Sequence, residues 1–330
     1  MSEVVASPPR KSAGAAPLRV PGSVRRTSTI DISWPEGFNH NSRAVGRARD
    51  IFTPRSGGAP VVRAEDSFIA ALSADRHIVS IESSPPRPAL TQLIGARGGG
   101  HLRKILKEII PEEFQHAAPL YLILDDISGA SLVSAWAWSL WNPHWLEESK
   151  TTAELQKTLA DMEGVCIGFA PGSSALSLST DNSLGTPVPD LRRADDPEGW
   201  HAFTAQEGNV GMRRARRIDL WIDDVLVIDA AFQDSATTPA GGRAAIHEYR
   251  LRATADPKTM RVLSIHAEPR ILPFVECPSA VFNMSRLVGT TLMEFREKVL
   301  ADLRGTHGCT HLNDALRALA DVPMLMRYLD

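Results

Sequence analysis

The stretch Arg216–Gln233, RRIDLWIDDVLVIDAAFQ, alternates apolar and polar residues on both sides of Asp223-Asp224. That is the pattern of two antiparallel strands joined by a tight turn. Downstream, HEYRLRATADPKTMRVLSIHA from His247 repeats the pattern about Asp256-Pro257, which predicts a second hairpin. Beyond Cys277-Pro278 the period lengthens: Leu292, Phe295, Val299 and Leu303 share one helical face, and Leu312, Ala315, Leu316 and Leu319 share another. Strands followed by helices predict an α+β fold with an antiparallel sheet.

Working towards the N-terminus, the same sequence of features recurs. VRRTSTIDISW from Val24 aligns with MRRARRIDLWI from Met212, keeping the Arg-Arg pair and the Ile-Asp. FIAALSADRHIVSI from Phe68 aligns with RLRATADPKTMRVLSI from Arg250, and LIGARGGGHLRKIL from Leu93 with LRGTHGCTHLNDAL from Leu303. Matches in one order at comparable spacing predict a duplication. The chain is therefore expected to comprise an N-terminal arm (1–24), a first α+β repeat (25–111), an insertion (112–209) and a second α+β repeat (210–330).

Composition narrows the function classes. The net charge of −3 and the absence of a long Lys/Arg cluster give no footprint for nucleic acid. No apolar run approaches the roughly 20 residues that span a bilayer. Three widely spaced cysteines (Cys166, Cys277, Cys309) suit reduced thiols in a cytoplasmic setting. The Pro/Ser/Gly-rich arm lacks the apolar core of a secretion signal, and by composition is disordered unless pinned, for instance across a partner subunit; a homodimer is expected.

The insertion has its own chemistry. LYLILDD reads as a buried strand ending in Asp125 and Asp126, either of which could serve as a general base beside a pocket. Trp136, Trp138 and Trp141 follow within six positions and could wall a planar ligand, or simply pack in a core or interface. His144 and His201 each lie beside a tryptophan and are acid/base candidates.

Two glycine-rich loops frame the remaining candidates. In GTHGCTHL (Gly305–Leu312), Cys309 stands just before a helix with Thr310 as a plausible N-cap, where a thiol pKa can be lowered. Cys277, Cys309, His307 and His311, with His247, could alternatively hold zinc, although no C-x-x-C or H-E-x-x-H spacing supports it. The plain alternative is a buried cysteine, a helix-capping turn and solvent-facing histidines. In GARGGGHL (Gly95–Leu102), Arg97, His101 and the loop's N–H groups could cradle an anion; a glycine turn that needs positive φ explains the same residues.

MRRARRIDL, AIHEYRLRATAD, ECPSAVFNMSRLVG and GTHGCTHLNDAL together resemble the bacterial domain of unknown function 2889, over roughly Val210–Leu319. The resemblance implies that His247, Cys277, Cys309 and His311 sit at the family's characteristic positions, and it supplies no reaction. It also implies a setting in bacteria that degrade aromatic and lignin-derived compounds. In the first repeat, Asp66 and Gly99 stand where His247 and Cys309 would be.

These observations lead to an expected cofactor-independent acid/base enzyme acting on a small aromatic compound. The reaction expected is that of a carbon–carbon lyase releasing formaldehyde from phenolic dimers. Asp125, Asp126, His201, His247, Cys309 and His311 are its catalytic candidates, and Trp136, Trp138, Trp141, His101 and Arg97 its binding candidates. The alternatives are a zinc-dependent hydrolase or lyase centred on Cys277, Cys309 and His311, and a non-catalytic oligomeric binding protein.

Overall fold

The computed structural model describes residues 8–142, 144, 145, 148, 150–177, 185–204 and 208–329. The first seven residues of the expected arm lie outside this set. Nine strands form one antiparallel sheet: β1 (Ser23–Ser33), β2 (Ser42–Thr53), β3 (Val61–Leu72), β4 (Ile78–Ser84), β5 (Thr186–Val188), β6 (Gly211–Ile222), β7 (Leu226–Thr237), β8 (Arg243–Ala255) and β9 (Val262–Ile271). Both hairpins expected in the C-terminal part are present, as β6–β7 and β8–β9.

The sheet is continuous across segments expected to carry separate sheets. Its order β4-β3-β2-β1-β6-β7-β8 places two meanders edge to edge, with β5 and β9 both pairing to β8. The seam is the antiparallel pairing of β1 with β6, in which Ser28 faces Arg216. About that point the ion pairs cross reciprocally: Arg25 Nε donates to Asp219 Oδ1 at 2.6 Å, and Arg213 Nε to Asp31 Oδ1 at 2.6 Å.

Alternation along β1 and β6 separates two covered faces. On one face, Arg25, Thr27, Asp31 and Arg213 meet the N-terminal arm and residues 200–204. The arm is pinned on its own chain: Lys11 N donates to Arg270 O, Ser12 Oγ to Glu248, and Arg19 pairs with Asp196. Backbone pairing and ion pairs thus order a segment whose composition predicts disorder.

The other face carries the helices. These are α1 (Leu102–Ile109), α2 (Pro111–Gln115), α3 (Pro119–Val133), α4 (Trp136–Trp141), α5 (Thr152–Met162), α6 (Phe295–Asp302), α7 (Thr310–Ala318) and α8 (Val322–Leu325). LYLILDD, expected as a strand, is the first half of α3. Burial explains the misreading. Leu120–Ser128 of this helix are all buried, against β1–β3 on one side and neighbouring helices on the other, so no polar stripe marks a 3.6 period. Pro119 at its first turn supplies a φ already suited to a helix start. Each fully buried Leu or Ile here contributes roughly 1.5–3 kcal/mol. Further along the insertion, VCIGFAPGSSALS (Val165–Ser177) forms short 3₁₀ turns at Ile167–Phe169 and Ser174–Leu176. Among the described residues, no helix is long and apolar enough to cross a membrane.

Candidate active site

Strand register builds the floor of the site. β6, β7 and β8 place Arg214, Asp234 and His247 in one row across the helix-covered face. Arg214 holds Asp234 with both arms of its guanidinium, Nε to Oδ1 at 2.9 Å and Nη2 to Oδ2 at 3.0 Å. Its remaining nitrogen, Nη1, donates to Asp314 Oδ2 on α7 at 3.0 Å. Helix α3 crosses directly above, at Gly129. A Cβ there would stand 1.9 Å from Arg214 Nη1 and 2.7 Å from Asp314 Oδ2, so only glycine fits.

From the opposite side, the loop before α7 lowers His311 onto this row. Gly308 permits the descent, since a Cβ there would meet the Leu303 carbonyl at 2.1 Å. Cys309, rather than the expected Thr310, occupies the N-cap position and makes no side-chain cap. The His311 ring stacks on His247 with centroids 3.4 Å apart and planes 18° apart, and Phe232 stands 6.2 Å away. Asp234 Oδ2 lies 3.4 Å from His247 Nδ1 and 3.7 Å from His311 Nε2.

The electrostatics follow from burial. Desolvation lowers the pKa of both histidines below the ordinary range, and the Asp234 carboxylate only partly opposes it. Burial would raise Asp234 itself, but Arg214 and His247 outweigh that and hold it ionised. The floor therefore carries two neutral imidazoles over a carboxylate.

His311 opens into a cleft of about 350 Å³ between α3 and α7. Both glycine-rich loops reach it, through Gly99 and Gly100 on one side and Thr310 on the other. Leu132, Met162, Val165 and Leu300 give it apolar walls, and three of these, Leu132, Val165 and Leu300, are exposed large side chains. The insertion and the Cys309 loop thus line one cavity.

The other candidates fall elsewhere. Asp125 and Asp126, on α3 rather than at a strand end, are locked in ion pairs. Asp125 receives Arg317 and Arg103 and is pushed down to about 2 by them against the effect of burial. Asp126 receives Arg216 at 2.7 Å, while burial pushes it up to about 6. His201 lies on the arm-covered face, its Nε2 3.3 Å from Thr27 Oγ1, with the sheet between it and the cleft. Trp136, Trp138 and Trp141 line protein, not the cleft: Trp138 packs edge-on against Trp34 and Phe38, and Trp141 Nε1 donates to Thr237 O. His101 and Arg97 are exposed on the loop whose glycines reach the cleft, and Arg97 Nε donates to Asp75 O.

The cysteine-centred metal set does not converge. His307 is exposed, while Cys277 and Cys309 are buried in the core beside Tyr249. Burial pushes the Cys309 thiol up to about 11 and Cys277 higher still, opposite to an activated thiolate. Among the described residues, the group of three or more potential ligands whose atoms lie within 4.8 Å of one another is Asp234, His247 and His311. Asp234 escaped sequence reasoning, although the Asp223-Asp224 turn fixes a hairpin register that sets it opposite Arg214.

A continuous antiparallel sheet with a histidine-floored cleft under its helices defines the molecule as an α+β protein with one candidate active site. Residues 212–325, in the C-terminal part of the chain, match the model of the family described as "Protein of unknown function (DUF2889)". This range contains Arg214, Asp234, His247, His311 and Asp314, whereas α3 and Arg103 come from outside it. No curated protein and no solved structure matches the chain.

Proposed function

We propose that the protein is an acid/base enzyme acting on a small aromatic compound, a carbon–carbon lyase that releases formaldehyde from a phenolic side chain. The observation that carries this reading is His311: an imidazole kept neutral by burial, backed by His247 and Asp234, and open to a cleft of ligand size. His311 would take the proton of a hydroxymethyl group. As the adjacent carbon–carbon bond breaks, its electron pair forms an alkene and expels a benzylic oxygen, which recovers the proton from the imidazolium. Formaldehyde leaves, and no oxidant or reductant is consumed. Leu132, Met162, Val165 and Leu300 supply apolar surface for the ring in place of the expected tryptophans. The test is formaldehyde release from phenolic dimers bearing a hydroxymethyl group, after exhaustive chelation. Turnover lost with His311→Ala supports the reading, and no turnover of any such dimer sinks it.

A second reading rests on a separate observation. His247 Nδ1 is buried without a hydrogen-bond partner, and its spacing from Asp234 Oδ2 matches the roughly 3.3 Å between ligands at about 2.0–2.1 Å from a tetrahedral ion. Asp234, His247 and His311 could hold zinc or ferrous iron in this way, where the ion would polarise a substrate oxygen. Elemental analysis separates the two: stoichiometric metal lost with His247→Ala and His311→Ala favours the second reading.

A further inference from the structure

The cleft's charges are matched with one exception. Arg103, Arg214 and Arg317 line it, and each is held by Asp125, Asp234 or Asp314. Arg76 lines it too, and among the described residues no carboxylate pairs with it. It sits half-buried on the turn between β3 and β4, where its backbone takes φ +67°, a conformation that favours glycine. The turn is fixed: Arg76 N donates to Ser73 O, and Gly98 N donates to Arg76 O at 2.8 Å. Gly98 itself lies against Ser131 of α3, where a Cβ would be 2.6 Å from the hydroxyl, so the turn is clamped to the cleft wall. Arg97, likewise without a carboxylate partner among the described residues, is close enough that its repulsion adds to burial in lowering the Arg76 pKa. Two guanidiniums held near each other with no anion between them leave an unmet demand for negative charge.

We infer that Arg76, with Arg97 beside it, is the recognition site for a carboxylate on the ligand of this cleft, so that the substrate is an aromatic acid. This rests on the functional reading above for where the chemistry occurs, but not for the binding itself. A guanidinium fork takes a carboxylate through two parallel N–H donors, and the neighbouring Leu132, Met162, Val165 and Leu300 suit the ring.

The probes are 4-hydroxycinnamate and the neutral 4-hydroxycinnamyl alcohol, titrated calorimetrically into the full-length protein. The wild type should bind the acid at least tenfold more tightly than the alcohol, with a preference that shrinks as salt is raised. Arg76→Gly, which suits the observed φ, should abolish the preference, whereas Arg76→Lys should retain part of it. His311→Ala should leave it intact. Equal affinity for acid and alcohol in the wild type, or a preference that survives Arg76→Gly, overturns the inference. Tight competition by inorganic phosphate would overturn it as well, because it would mark a general anion site. If no phenol is turned over but the preference follows Arg76, the lyase reading fails and this one stands. If phenols are turned over and Arg76→Gly changes neither preference nor KM, the reverse holds.

Discussion

His311 lies flat against His247, ring over ring at 3.4 Å, with Asp234 within 4 Å of a nitrogen on each. His247 is fixed by strand register, whereas His311 arrives at the start of a helix and keeps 15% of its side chain open to the cleft. The outer ring is thus placed to meet a ligand, and the inner one to support it.

Replacing His311 by alanine should lower kcat for a phenolic substrate by roughly 10²–10⁴-fold, the usual worth of a positioned proton acceptor. Its melting temperature should stay close to that of the wild type, since the ring is partly exposed and caps nothing. Steady-state kinetics with a circular-dichroism melt checks both. An inactive protein that is also unfolded would assign His311 to the core instead.

Gly129→Ala places a methyl where Arg214 Nη1 and Asp314 Oδ2 already stand. Alanine improves an exposed helix by up to about 1 kcal/mol over glycine. Here the clash should reverse that sign and cost about 2–3 kcal/mol. Denaturant unfolding of the two proteins measures the difference, and a stabilised variant would show that α3 can move off Arg214.

Cys309→Ala should retain kcat within about twofold. Burial keeps the thiol protonated at neutral pH, and it is 2% exposed. A loss of two orders of magnitude, or active-site labelling by iodoacetamide at pH 7, would restore the thiol to the mechanism.

Stability should fall on mild acidification, and His201 should account for part of it. Burial, reinforced by Arg49 and Arg47, pushes its folded pKa down to about 3. The unfolded chain takes up a proton from about pH 6.5 downward. The neutral folded form is therefore favoured fully above pH 6.5, and that advantage drains away as pH drops towards 3. Between pH 7 and pH 5 this one group removes about 2 kcal/mol. Urea unfolding at the two pH values should show a correspondingly smaller drop for His201→Gln.

Much of the sheet was legible because hairpins announce themselves locally. Asp223-Asp224 and Asp256-Pro257 mark turns, and alternation on either side gives the strands. What failed was α3, where burial on nearly every side erases the period that distinguishes helix from strand. The site was legible in part. His247 and His311 were named, but Asp125 and Asp126 looked catalytic because a buried acid resembles a functional one until its arginine is seen. Those arginines lie far along the chain: Arg317 is 192 residues from Asp125, and Arg216 is 90 from Asp126. Separations of that size leave no local trace. Asp234 was within reach, because hairpin register alone sets it against Arg214.

The crossing of Arg25 to Asp219 and Arg213 to Asp31 has a consequence for any chain reduced to residues 210–330. Without β1, the twelve residues of β6 become an open edge of unpaired N–H and C=O groups, with Arg213 stripped of its carboxylate and Asp219 left with Arg217 in place of the Arg25 fork. A second copy could supply what is missing. Two β6 strands set antiparallel about Arg216 would bring Arg213 of each to Asp219 of the other, in the register β1 uses now. At Arg25–Asp219 and Arg213–Asp31 the β1–β6 seam thus has the same register that a two-fold pair of β6 strands would have.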